Sequence, residues 1–224
     1  MKNALLSTAA LLTLAAAPAC ADERQSGWYV GASLGVNWLQ DTNPKTFTGD
    51  ALNTGFDTGW ALTANVGYRF MGNLRGELEL GYRDNNVGSI YEAPNGITPI
   101  HHSHVGGDVT EFSVMANALY DVRVVQNWTF SFGGGIGVVE SDFDASGSGG
   151  QLIRDADDDW QFAWQLIGGI GYSVSTNMDA FVEYRYFADQ DHDVITYPNG
   201  LPLRDSVDLD SHTVSLGFRY ALGR

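Results

Sequence analysis

His101, His102 and His104 crowd into one short stretch, "HHSH", not far from Glu92. Imidazoles at that density capture zinc or copper when a fixed set of about four ligands holds the ion, and no such spacing surrounds them. They are expected to be solvated loop residues. Asp189, Asp191 and Asp193 alternate in "DQDHD", and Asp155, Asp157, Asp158 and Asp159 fill "DADDD". Calcium takes about six to eight oxygens from a shaped loop, yet neither stretch has the spacing or the terminal glutamate of an EF-hand. The expected use is a hydrated acidic rim, bridged by divalent ions to anionic lipid headgroups. "SGSGG" is glycine-rich but lacks the Gly-Lys-Ser/Thr that cradles phosphate. No metal, cofactor or catalytic set is expected from these motifs.

A different chemistry lies in charges set at alternate positions. Arg75, Glu77, Glu79 and Arg83 share one parity, as do Glu111 and Asp121 in a second stretch and Asp179, Glu183 and Arg185 in a third, with Arg69 and Arg219 completing the set. Every base among them is arginine, and Lys45 is the only lysine after Lys2. The guanidinium fork satisfies several carboxylate oxygens at once, which an enclosed ion-pair network requires and a solvated surface does not.

The alternation also identifies the elements that must position these charges. In "GWYVGASLGVNW" (27–38), Trp28, Val30, Ala32, Leu34, Val36 and Trp38 form one face, and Tyr29, Gly31, Ser33, Gly35 and Asn37 the other. The same period recurs at 58–70, 74–83, 110–122, 128–139, 160–173, 178–188 and 211–222. Eight strands are predicted, and no window has a helical period. Long polar segments and tight turns alternate between the strands. The prediction is an all-β, eight-stranded antiparallel up-and-down barrel with long exposed loops at one end and both termini at the other.

Two closed forms compete. A soluble lipocalin-like calyx would turn the apolar face inward, and a transmembrane β-barrel would turn it outward to lipid. Gly31, Gly35, Gly59, Gly67, Gly81, Gly133, Gly135, Gly137, Gly169, Gly171 and Gly217 share the polar face, against Gly76, Gly134 and Gly168 on the apolar one. Glycine weakens a strand, so a solvated surface has no use for so many, whereas a cramped lumen does. Trp28 and Trp38 lie ten residue steps apart on the apolar face. At a tilt near 45° that is about 23 Å along the membrane normal, close to the roughly 25 Å apolar band of such barrels. Trp60, Tyr68, Phe70, Tyr82, Phe112, Tyr120, Trp128, Trp160, Trp164, Tyr172, Tyr184, Tyr186 and Tyr220 share that face, as interfacial girdles require. The apolar face is expected to meet lipid, with the arginines and acids inside.

The opening "MKNALLSTAALLTLAAAPACADER" reads as a secretory signal peptide cut after Ala21, with 22–224 forming one barrel domain. A cut before Cys20, giving a lipoprotein, lacks the usual Leu-Ala-Gly context. Cys20 is the only cysteine, so no disulfide framework is expected. A net charge of -15 opposes sequence-independent binding to nucleic acid, since little in the chain would neutralise phosphates. No later stretch runs to the roughly 20 apolar residues of a spanning helix, so any crossing of a membrane must use strands.

"GWYVGASLGVNW", "FSVMANALYDV", "FVEYRYF" and "SHTVSLGFRYAL", in that order and spacing, give the chain a resemblance to the OmpA-like and OmpX-like family of small outer-membrane β-barrels, the porin-family barrel proteins. The resemblance implies a Gram-negative outer-membrane location with both termini periplasmic, and no separate peptidoglycan-binding domain. It also implies contact with outer-membrane lipid and lipopolysaccharide, and a monomeric state. Insertion by the outer-membrane assembly machinery would follow, with Ser215, Gly217, Tyr220 and Leu222 in the positions of the last-strand signal, although the chain finishes in Gly223-Arg224 rather than an aromatic residue. His212 is similar in placement to the histidine of barrel-shaped lipid A deacylases, but it shares the apolar face and no serine and carboxylate accompany it. The expected role is structural or porin-like, with a small or gated pore. Loop-mediated adhesion and a lipid-directed barrel enzyme are the alternatives.

Overall fold

The computed structural model describes residues 26–40, 51–70, 73–93, 100–102, 106–125, 127–147, 150–155, 160–189, 192–196, 203–207 and 210–222. All regular structure in them is β: β1 (Gly27–Leu39), β2 (Ala51–Phe56), β3 (Gly59–Arg69), β4 (Leu74–Ala93), β5 (Ile100–His102), β6 (Gly106–Val125), β7 (Trp128–Gly147), β8 (Gly150–Asp155), β9 (Gln161–Ser173), β10 (Met178–Asp189), β11 (His192–Thr196), β12 (Leu203–Val207) and β13 (Asp210–Ala221). Eight of these close a cylinder in the order β1-β3-β4-β6-β7-β9-β10-β13, every pair antiparallel, with β13 returning to β1. Closure leaves the barrel without an edge strand.

The register fixes the geometry of the cylinder. Starting at Asp189 and stepping from partner to partner through Ala163, Gly137, Met115, Glu79, Asn65, Gly31 and Arg219, the circuit returns to β10 at Asp179. The return lies ten residues lower, so the shear is 10. With about 3.3 Å per residue and about 4.8 Å between strands, eight strands at that shear tilt by about 41° from the axis. Trp28 and Trp38 are then separated by about 25 Å along it.

Burial assigns the faces. Leu34 is 60% exposed and Leu216 58%, while Glu79 is fully buried and Arg75 is 1% exposed. Apolar side chains cover the outside and charged ones fill the inside, the reverse of a soluble protein. The tight turns need particular residues. Asn73, between β3 and β4, holds a positive φ of 72°, which asparagine tolerates better than most residues. Between β9 and β10, the Asn177 and Met178 amides donate to Ser175 Oγ at 3.3 and 3.1 Å, a hydroxyl-closed turn.

The long segments are not simple loops. β4 continues to Ala93, where β2 and β5 pair with it on either side, and β7 continues to Gly147, where β8 pairs with it and carries β11 and β12. Alternation of apolar and polar residues is imposed by lipid on one side and lumen on the other. Beyond the lipid that constraint ends while the backbone ladder continues, so the pattern stops before the strands do.

Candidate functional site

Among the described residues every inward charge comes from a strand, and the strand parity puts it there. At the short-turn end Arg69 pairs with Asp179 at 2.7 Å, and Ser173 Oγ donates to the same carboxylate at 2.8 Å. Next, Arg75 lies among Asp121 at 3.3 Å, Glu77 at 3.6 Å and Glu183 at 3.6 Å. Arg219 contacts Glu183 directly, approaches Glu77 at 3.8 Å and stacks 3.7 Å over the Phe181 ring. The Tyr29 hydroxyl donates to Glu77 at 2.6 Å.

Midway along the barrel Arg185 donates to both oxygens of Glu79 at 2.5 Å and to Glu183 at 2.9 Å. Gln165 and Asn117 also donate to Glu79, at 3.2 and 3.3 Å, and Gln165 donates to Asn117 at 2.7 Å. Toward the long segments Arg83 lies 4.0 Å from Glu111, donates to Ser113 at 3.4 Å and stacks 3.7 Å over Phe187. Phe187, Met115, Val139 and Ala163 pack as a fully buried apolar cluster at this level. Asn37, Asn85 and Thr213 form a separate buried hydrogen-bonded group.

Inward glycines give these groups room. A Cβ on Gly67 would enter the Tyr29 ring, one on Gly135 the Asn117 amide, one on Gly169 the Glu183 chain and one on Gly217 the Phe181 ring. Outward Gly168 has nothing within 4 Å of where its Cβ would be.

All eleven charged residues read from the sequence as lumenal therefore lie inside, in ion-paired layers. Sequence reasoning missed the apolar members. Phe181 and Phe187 share the parity of Glu183 and Arg185 in "FVEYRYF", which is the signal that could have found them. A stacked ring covers the guanidinium plane while its edges remain free for carboxylates. The arrangement can hold charge and exchange partners, since Glu183 is shared by Arg185, Arg219 and Arg75.

On the outside, aromatic side chains gather toward the two ends. Trp28 packs on Tyr68 and Tyr68 on Phe70, Tyr120 on Phe132, and Trp128 on Tyr172 at the short-turn end, where Tyr220 is also exposed. Trp60 packs on Tyr82, Phe112 on Trp160, and Trp164 on Tyr186 at the other end, with Trp38 and Tyr184 exposed nearby. His212 lies in this outer surface, within 2.8 Å of Gln40 Nε2 and 2.7 Å of the Tyr184 hydroxyl. Its described hydrogen-bond partners include no serine. On β13, Ser215 and Gly217 face inward, Tyr220 faces outward, and Leu222 just beyond the strand is exposed.

The acidic rim needs one correction. Asp189 is 1% exposed inside the mouth of the barrel rather than hydrated, because its parity on β10 follows Arg185 and Phe187. Asp191, Asp157, Asp158, Asp159 and His104 lie outside the described residues. His101 and His102 fall on β5, Asp155 on β8 and Asp193 on β11. Among the described residues, no group of three or more His, Cys, Asp or Glu is placed to hold a metal ion.

Comparison with known proteins agrees with this geometry. The sequence profile of the outer membrane protein beta-barrel domain matches residues 7–221. An uncharacterized protein of Brucella abortus is 26% identical over 240 residues, covering 87% of this chain and 84% of its own. The crystal structure of Neisserial surface protein A superposes with a TM-score of 0.57 at 20% identity, over 88% of this chain and 99% of that one. The outer membrane protease OmpT of Escherichia coli superposes with a TM-score of 0.55 at 12% identity, over 89% and 98%. The fold is shared with these two solved structures and does not by itself specify a chemistry.

Proposed function

The chain belongs to the outer membrane protein beta-barrel domain family of the Gram-negative outer membrane, and from that premise we propose that it is a structural barrel closed by its own side chains. The observation that carries this reading is the blockade across the middle of the lumen, where Glu79 grips Arg185 and Phe187 lies under Arg83. An eight-stranded cylinder is just wide enough for such side chains and leaves no broad water column. Exchange of Glu183 between its arginines would give small, gated openings, the porin-like limit of the same reading. Planar-bilayer recording tests it. Rare, small openings are expected, and a stable large conductance would refute a filled lumen.

The polypeptide is proposed to insert as a monomer after loss of residues 1–21. Both termini would be periplasmic, the aromatic ends of the barrel would sit at the lipid headgroups and lipopolysaccharide, and Ser215, Gly217, Tyr220 and Leu222 would be read by the assembly machinery. A second reading is favoured by the strand pairs that extend beyond the barrel, β8-β11-β12 on β7 and β2 and β5 on β4. Ordered β-extensions offer a binding surface that plain loops lack. Excising 192–207 while the barrel still shifts on a heat-modifiability gel would abolish attachment to a host molecule or another cell under this reading, and unchanged attachment would remove it.

A further inference from the structure

We propose that the ions passing this barrel are monovalent cations and that Glu111 is the lumenal carboxylate that selects them, an inference that rests on the porin-like limit of the reading above. In the lower layers of the lumen five carboxylates, Glu77, Glu79, Asp121, Asp179 and Glu183, contact four arginines. Toward the long segments Arg83 is the remaining inward arginine among the described residues, and it meets two acids. Glu111 lies 4.0 Å from it, and Asp189 is the next inward residue beyond Phe187, whose ring Arg83 covers. Each part of the lumen therefore has one carboxylate in excess. Arg123, exposed at the short-turn rim, reduces the imbalance without reversing it.

Glu111 is the least satisfied of these acids. It is 1% exposed, neither of its oxygens accepts a hydrogen bond, and Arg83 is turned to Ser113 and Phe187 instead. Ser141, its partner across the β6–β7 ladder, is also buried, and its hydroxyl has no hydrogen-bond partner. Buried acceptors without a donor leave a place where a cation exchanges part of its water for protein oxygen. One carboxylate and one hydroxyl hold a monovalent ion weakly enough to release it, as permeation requires. The sequence around this mouth has the same sign. Segments 40–58, 84–109, 140–159 and 190–210 contain 18 acids, with Lys45, Arg154 and Arg204 as their only bases. Such a field concentrates cations at the entrance. At about 7 Å in water a single unit charge favours a monovalent cation over an anion by about sevenfold, attraction and repulsion taken together.

The test records single openings of the refolded barrel across a roughly tenfold gradient of potassium chloride kept at or below about 0.1 M, where charges within about 10 Å still act on the ion. The reversal potential is expected to give a potassium-to-chloride permeability ratio of about seven or more. Glu111→Gln keeps the shape of the side chain, so it is expected to fold and to lower that ratio about fivefold. Glu140→Gln removes the same charge from the outer face, where Glu140 pairs with exposed Phe112, and is expected to leave the ratio unchanged. A parent ratio below about two, an unchanged ratio in Glu111→Gln, or an equal fall in Glu140→Gln would each overturn the proposal and leave the porin-like reading standing. Silent bilayers would overturn that reading and this inference with it.

Discussion

Replacing Glu79 with alanine strips Arg185 of two 2.5 Å hydrogen bonds and leaves it with Glu183 alone, at 2.9 Å, inside a lumen where it is 2% exposed. Removing one partner of a buried ion pair costs about 3–5 kcal/mol, most of it from the charge left uncompensated. Gln165 and Asn117 lose an acceptor as well, each worth about 1 kcal/mol, which places Glu79→Ala toward the upper part of that range. The double variant Glu79→Leu with Arg185→Met removes both charges and restores bulk, and a buried pair exchanged for apolar side chains is often close to neutral. It is expected to cost about 0–2 kcal/mol, less than the single variant, with a coupling energy of about 3 kcal/mol. Reversible urea unfolding in lipid vesicles, followed by tryptophan fluorescence, gives all four corners of the cycle. A single-variant cost below about 1 kcal/mol, or a double-variant cost equal to the sum of the singles, would refute the claim that this pair is desolvated and coupled.

Leu34→Arg, at the exposed middle of β1, is expected to lose about 2–4 kcal/mol in the same vesicles, and a neutral result would put that face in water. Gly135→Val drives a branched side chain into the Asn117 amide and is expected to prevent the folded band on a gel, whereas Gly168→Ala, with empty space outside, is expected to fold normally. Phe187→Ala empties a fully buried position beneath Arg83. It is expected to cost about 3–5 kcal/mol and to produce frequent channel openings in planar bilayers, and silent recordings would place the seal elsewhere.

The barrel core was legible because lipid and lumen imposed opposite demands on neighbouring residues. Trp28 beside Tyr29, and Leu78 beside Glu77 and Glu79, declare their faces by parity alone. Arginine in place of lysine and glycine in the gaps then identified the enclosed side. The β-extensions at 51–56, 150–155 and 203–207 were illegible because nothing lipid-facing disciplines their sequence. Phe187 and Phe181 were overlooked because their polar neighbours dominated the pattern, although parity placed them correctly. The meeting of Arg75, Glu183 and Arg219 was beyond reach of spacing, since three different strands converge there only after the offset between strands is known.

That offset carries a practical consequence. Tracing backbone partners from Phe187 through Gln165, Gly135 and Asn117 arrives at Glu77, yet the side chain that covers its ring is Arg83, six residues further along β4. From Arg185 the same walk ends at Arg75, and the true companion is Glu79. Halfway round the cylinder a lateral neighbour is displaced by roughly half the shear, so the interior is a spiral staircase whose treads join residues that no single rung connects. Compensating substitutions in this molecule should be sought along that spiral, and a designer who matched them straight across the ladder would pair the wrong positions.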